Sequence, residues 1–282
     1  MKRNQHFIEN RMILYMVATP IGNKKEFSPR AIEVLKSCDY IGCEDTRTSG
    51  QLFQFFDIHA SLVSCHEHNE NEASDSLIQA ILKGKTVAYV SDAGYPGISD
   101  PGHRLIKKAL DNDIDISVIS GSCAFLPALI GSGLETDHFY FYGFLPSKAS
   151  ARQKELNQLK ERQETLMFYE SPHRILDTCL DLYHAFGNRK ACIARELTKM
   201  HEEYIRGTLE EFLSLESSTL KGEMVVVVEG ASAPSIAISN EELLSAIQAC
   251  LEKGKTKKDA ILEVAKKYQV SKNTLYALVH QK

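Results

Sequence analysis

The chain has 282 residues, 43% of them hydrophobic and 25% charged, a globular composition long enough for two medium-sized cores. The longest pure apolar run, Met224 to Val228, is far short of the roughly eighteen residues that a membrane helix needs, and the first eleven residues, MKRNQHFIENR, carry charges where a secretory signal has an apolar stretch. A formal net charge of −4 argues against a protein that coats nucleic acid through bulk electrostatics, and a cytoplasmic location is expected.

In chain order, Met12 to Ala18 is a strand-forming run that ends in the turn cluster Thr19-Pro20-Ile21-Gly22-Asn23. Ser28 then caps, and Pro29 opens, a helix with Ile32 and Leu35 on its apolar stripe. Tyr40 to Cys43 and Thr86 to Val90 read as strands with a helix over Leu77 to Leu82 between them. The Gly/Pro-rich loop Ser91 to Gly102, a helix over His103 to Leu110 and a strand over Ile114 to Ile119 follow. Strands alternating with helices predict a mainly parallel sheet in this part. Aromatic strand formers at Asp137 to Gly143 begin a second half. It continues with a charged helix (Arg152 to Glu164), the strand Thr165 to Tyr169, a helix after Ser171-Pro172, and strands at Lys190 to Ala194 and Glu223 to Glu229.

Ala231 to Ser239 is a linker of small residues and proline, and three short helices follow, punctuated by Gly254 and Ser271 in the manner of a helix-turn-helix unit. Residues 253–282 hold eight lysines against Asp259 and Glu263, a net +6, which leaves about −10 for the rest. The expected organisation is an N-terminal extension (1–11), an α/β domain (12–122), a second α/β domain (123–230), a linker (231–239) and a basic helical tail (240–282) of nucleic-acid-binding character. Lys257, Lys258 and Lys272 are its candidate phosphate ligands; the bland alternative is a solvated surface.

The seven cysteines are odd in number and form no C-x-x-C pair, so they read as reduced thiols rather than a disulfide framework or metal site, and no metal is expected. The loop SDAGYPGISDPG (91–102) carries the strongest functional signal. Three glycines, two prolines and two aspartates after a buried strand are more than a connector needs. It lies, with VATPIGN, where open α/β sheets bind ligands, beyond the carboxyl ends of the strands. No dinucleotide fingerprint and no phosphate-binding GK[ST] loop is present. Other polar segments have two readings each. Asp45 in Glu44-Asp45-Thr46-Arg47 either serves a site or caps the next helix. Glu170-Ser171-Pro172-His173-Arg174 is a site or a helix start, His66-Glu67-His68-Asn69-Glu70 a site, a metal cluster or a solvated loop, and Arg195 to Lys199 a substrate contact or a set of surface pairs.

TPIGN (19–23), EDTR (44–47), HEHNE (66–70), SDAGYPGISDPG (91–102), GFLPSK (143–148), FYESPHR (168–174), ARELTK (194–199) and GEMVVVVEG (222–230) occur in an order and spacing that resembles the tetrapyrrole methylase superfamily. The chain closely resembles its branch that methylates the ribose 2'-hydroxyl of a cytidine in small-subunit ribosomal RNA. The resemblance implies a two-domain fold with an interdomain cleft, S-adenosylmethionine as cofactor, and a homodimer acting on ribosomal RNA, in the assembled subunit. It assigns the cofactor to Pro20, Asp92, Gly94, Tyr95, Ile98, Cys123, Ala124, Phe168 and Met224. SGSCA (120–124) stands where the family usually has PGPSA, a change that keeps backbone contacts but removes a hydroxyl contact from position 123. A ribose hydroxyl needs its proton held or removed, and Glu170, Arg174, Glu44 and Arg47 are the candidate catalytic residues, with Arg195 and Lys199 as RNA ligands. Two other readings stay open: a methylase of uroporphyrinogen or precorrin, and a helix-turn-helix regulator whose body senses a ligand.

Overall fold

The computed structural model describes residues 12–232, 239–268 and 270–280; the N-terminal extension and most of the expected linker lie outside the described residues. The chain divides into two compact units, residues 1–231 and 232–282.

The first half of the larger unit is built on β1 (Ile13–Val17), β2 (Tyr40–Cys43), β3 (Ser61–Ser64), β4 (Val87–Val90) and β5 (Asp115–Ile119). They pair in the order β3-β2-β4-β1-β5, every pair parallel. Such a sheet must be covered on both faces, because its connections are helices. Alternation along the strands does this. Leu14, Met16, Val87 and Tyr89 meet Leu77, Ile81 and Leu105 from α3 (Glu70–Leu82) and α4 (His103–Asp111). Val17, Ala88 and Val90 meet Ala31, Leu35 and Phe53 from α1 (Pro29–Lys36) and α2 (Thr46–Phe55). Ser28 caps α1 by accepting the Ala31 N–H, with Pro29 in the first turn as expected.

The second sheet runs β6-β7-β10-β8-β9, from β6 (Phe139–Phe144), β7 (Thr165–Glu170), β8 (Lys190–Arg195), β9 (Glu203–Thr208) and β10 (Met224–Val228). Only β6 and β7 are parallel; the other three pairs are antiparallel. One face packs Leu166, Phe168, Ile193 and Val226 against α6 (Ala149–Leu159), α7 (Ile175–Phe186) and the short α8 (Leu209–Phe212). The other places Met167, Cys192, Val225 and Val227 against Ala128 and Leu129 of α5 (Phe125–Ser132). The charged helix begins and ends earlier than its charge pattern suggests, and α7 starts at Ile175, three residues past Pro172.

The smaller unit is three helices, α9 (Asn240–Glu252), α10 (Lys257–Tyr268) and α11 (Lys272–His280), closed around Leu243, Ile247, Ile261, Val264 and Leu275. Ser239 and Glu242 form a capping box on α9, and Thr256 and Ser271 accept the N–H groups of Asp259 and Thr274.

Candidate methyl-transfer cleft

Three loops leave the carboxyl ends of β1, β4 and β5, and hydrogen bonds tie them into one wall. Thr19 and Gly94 exchange backbone bonds of 2.9 and 3.1 Å, the Thr19 hydroxyl donates to the Ser91 carbonyl, and the Gly121 N–H donates to the Tyr95 hydroxyl at 3.1 Å. Gly94 (φ 76°) and Gly97 (φ 85°) adopt the left-handed conformation that the tight path of this loop requires. Its far end is fixed by Glu70, whose buried carboxylate accepts from the Gly102 N–H at 2.9 Å and the Arg104 N–H at 3.3 Å. Gly102 opens α4 without a side chain of its own to cap it, so Glu70 supplies the missing acceptor from α3.

Facing this wall, the ends of β7 and β8, the start of β10 and Phe144 of β6 close a cavity of about 380 Å³. That is within the usual range of small-ligand sites, roughly 300–1,000 Å³. Apolar groups (Ile21, Ile98, Phe125, Tyr169, Leu197, Val225) suit an aromatic base, and the carboxylates of Asp92, Asp100 and Glu223 make the cavity electronegative. A cationic sulfonium fits that combination, since opposite charge in a partly desolvated site is favoured.

Seven of the nine expected cofactor residues are brought together here: Asp92, Gly94, Tyr95, Ile98, Cys123, Ala124 and Met224. Two are not. Phe168 is fully buried in the core beneath the helices, because side chains alternate along β7, and Tyr169, one position on, faces the cavity instead. Pro20 likewise yields its place to Ile21.

The expected catalytic residues divide. Glu170 borders the cavity, but its carboxylate is buried and occupied: it accepts from the Ser171 N–H (2.8 Å) and the Thr178 hydroxyl (2.7 Å) and pairs with Arg174 at 3.2 Å. Arg174 donates in addition to the Leu145 carbonyl at 2.9 Å, so the pair clamps the β7–α7 turn to the end of β6. Arg47 is exposed and held bidentately by Asp45, which also caps α2. The Arg47 hydrogen bonds draw the Asp45 carboxyl down to about 2. Glu44 is half-buried and is not among the residues lining the cavity; desolvation and then the Asp92 charge raise its pKa. Asp92 accepts the Asp45 N–H at 3.2 Å and is itself raised, mainly by desolvation.

Arg195, one of the expected RNA ligands, is engaged by Glu203 (2.5 Å) and the Lys221 carbonyl (3.2 Å). Lys199 bridges Glu196 (2.9 Å) and Glu223 (3.2 Å), and its stem lies so close to Gly22 that a Cβ there would collide with it. It thus sits at the cavity mouth, joining the TPIGN loop to β10. Lys257, Lys258 and Lys272 are exposed on the smaller unit. HEHNE is a turn into α3, in which Asn69 accepts the His66 N–H.

Sequence reasoning passed over Asp100, which lines the cavity inside the very loop that drew attention. Burial, then the nearby Glu44 and Asp92 charges, push its pKa up to about 6. It also passed over Tyr169, whose phenol is raised, chiefly by desolvation, and Glu223, whose signal was its place at the head of the Met224 strand.

A parallel α/β half and a mixed second half, with a cavity of this character where their strand ends meet, define a two-domain methylase. Residues 13–213 match the tetrapyrrole (corrin/porphyrin) methylases, and the chain belongs to that family. It is a methyltransferase with S-adenosylmethionine as methyl donor. The chain is 44% identical over 270 residues to ribosomal RNA small subunit methyltransferase I of Streptococcus pyogenes serotype M1, covering 95% of this chain and 94% of that protein. It is 41% identical over 276 residues to the protein of the same name from Bacillus subtilis strain 168, covering 96% and 94%. Among solved structures, it shares the fold of the uroporphyrin-III-C-methyltransferase of Thermus thermophilus (TM-score 0.56, 17% identity, 78% of this chain and 94% of that one). It shares the fold of the methyltransferase CobJ as well (TM-score 0.59, 17% identity, 79% and 95%). No helix among the described residues is long and apolar enough to cross a membrane.

Proposed function

We propose that this enzyme methylates the ribose 2'-hydroxyl of a cytidine in small-subunit ribosomal RNA. The observation that carries the reading is the carboxylate-lined cavity of a methylase in a chain whose full-length relatives are named for that RNA. S-adenosylmethionine, when bound, supplies an electrophilic methyl group on a positive sulfur. Asp92, Gly94, Tyr95, Ala124 and Met224 hold the cofactor, and Tyr169 and Leu197 keep water from it. Asp100 accepts the hydroxyl proton as the oxygen gains its methyl group, so the neutral alcohol need not ionise beforehand. Glu170 and Arg174 act at one remove, by fixing the strand end that carries Tyr169.

A uroporphyrinogen or precorrin methylase would need no basic three-helix appendage, and likeness to such enzymes at 17% identity speaks only to fold. The reading places the enzyme in the cytoplasm with its substrate, acting on the assembled subunit as a homodimer. The test is to supply labelled S-adenosylmethionine with bare small-subunit RNA, with assembled subunits and with uroporphyrinogen, then digest and identify the labelled nucleoside. Label in 2'-O-methylcytidine is expected. Label in the porphyrin alone would overturn the assignment.

A further inference from the structure

We propose that the outer face of α2, with Phe55 at its far end and Lys24 beside it, is a stacking platform for a nucleotide of the substrate strand flanking the one that enters the cleft. This rests on the RNA reading above. The helix begins at the cavity: its cap Asp45 donates its N–H to Asp92, which lines the cleft. Ten residues at about 1.5 Å each carry it roughly 15 Å outward. Ser49 and Phe53 face the core, while Arg47, Gln51, Gln54 and Phe55 are exposed on the opposite side at the spacing of one helix face.

Phe55 is 63% exposed, although Phe53 (3%) and Ile58 (5%) already fill the core beneath it. Its ring is nonetheless held, by the edge of Phe56 at 5.0 Å, and Phe56 packs on Phe27 at 5.1 Å. The Lys24 ammonium stands over the Phe55 ring at 4.2 Å. Lys24 belongs to the turn 24–26 that follows the TPIGN loop, and Glu26 of that turn accepts the Ser122 hydroxyl at 3.1 Å, next to Cys123 of the cavity. The cation over the ring is therefore tied, through the turn that carries it, to the loop that borders the cleft.

An oriented, exposed aromatic ring with basic groups around it matches single-stranded RNA, whose bases stack on such rings and whose phosphates take the cations. An incoming base displaces the exposed ammonium of Lys24 from the ring and leaves it, with Lys25, at phosphate distance. Arg47, with its side chain 87% exposed, marks the end of the track nearest the cleft.

The experiment uses the full-length enzyme and whichever RNA form the wild type methylates, measuring RNA affinity over a salt series, KM and kcat, cofactor affinity by calorimetry and mass by sedimentation. Phe55→Ala should weaken RNA binding and raise KM at least fivefold with an unchanged salt slope, because the ring carries no charge. Phe55→Trp should restore affinity. Lys24→Ala should flatten the slope by about 0.7, the value of one contact to a single strand. Cofactor affinity and melting temperature should stay put in all three. Wild-type RNA affinity in Phe55→Ala overturns the platform, as does a loss that appears only together with dissociation of a dimer, which would make the patch a contact between two copies. Absence of RNA binding by the wild type instead removes the RNA reading on which the platform stands.

Discussion

Hydrogen-bond occupancy separates the carboxylates around the cavity at the residue scale. Glu170 receives a backbone N–H, a hydroxyl and a guanidinium, Glu223 faces Lys199, and Asp92 receives the Asp45 N–H. Each of these three is engaged by a partner it would have to share. Asp100 is the one whose pKa is lifted to about 6, by desolvation first and by Glu44 and Asp92 next. A carboxylate with that value is ionised at neutral pH and yet more basic than an ordinary one, which is what proton removal from an alcohol asks for. Turnover should rise with pH through about 6 as Asp100 loses its proton. Asp100→Asn should abolish that limb and lower kcat at least tenfold, about 1.4 kcal/mol of transition-state stabilisation. Stability runs the opposite way. A carboxyl raised above its unfolded value, about 3.9, favours the fold below that pH and loses the contribution as pH climbs through 6. The Asn variant should therefore melt no lower than the wild type at pH 7.5. A pH–rate profile unchanged by the substitution would return the base assignment to Glu44.

Elements show how a wall of loops is kept in shape. Glu70 reaches from the first turn of α3 to the N-terminus of α4, so one carboxylate sets where the loop 91–102 ends. Glu70→Ala should cost about 1–2 kcal/mol, as loss of a helix cap does, and weaken cofactor binding severalfold; chemical denaturation and calorimetry read the two effects. Intact stability in that variant would mean that the Gly102 turn holds itself. Much of this arrangement is legible in the chain: the bounds of β2, the cap and proline of α1 and the Gly/Pro/Asp loop are local chemistry written in local sequence. What is decided by distant partners is not. β9 (EYIRGT) and β3 (SLVS) are edge strands in which only a pair of adjacent apolar residues stands between polar ones, too little to mark a strand, and without β9 there is no Glu203 to claim Arg195. The antiparallel pairing of the second sheet is equally hidden, because the central run Met224–Val228 reads the same in either direction. On β7 the side chain that lines the cavity is Tyr169 and that of Phe168 turns to the core, a choice of face that a one-residue phase decides wherever side chains alternate.

For the whole molecule, charge is partitioned between a larger unit whose cavity is lined by Asp92, Asp100 and Glu223 and a smaller one with net +6 over its last thirty residues. A carboxylate-lined cleft suits a cationic cofactor but repels a polyanion, so recruitment of RNA needs cations placed elsewhere. Lys257, Lys258 and Lys272 stand exposed on helices whose own core is closed by Ile261, Val264 and Leu275, leaving these side chains no part in the packing of that unit. Truncation after Ala231 follows the division between the two compact units, and the cavity residues all lie between Ile21 and Val225. The shortened enzyme should therefore bind S-adenosylmethionine as the full chain does. Its affinity for RNA should fall. If about four lysines neutralise phosphates, the slope of log affinity against log salt should become shallower by roughly 3, at 0.7 to 0.9 per contact. Titrations at several salt concentrations, with cofactor calorimetry alongside, measure both. An unaltered RNA affinity and slope would make the appendage a solvated surface or a contact between copies, and would leave Lys24, Arg47, Phe55 and the cleft to hold the RNA by themselves.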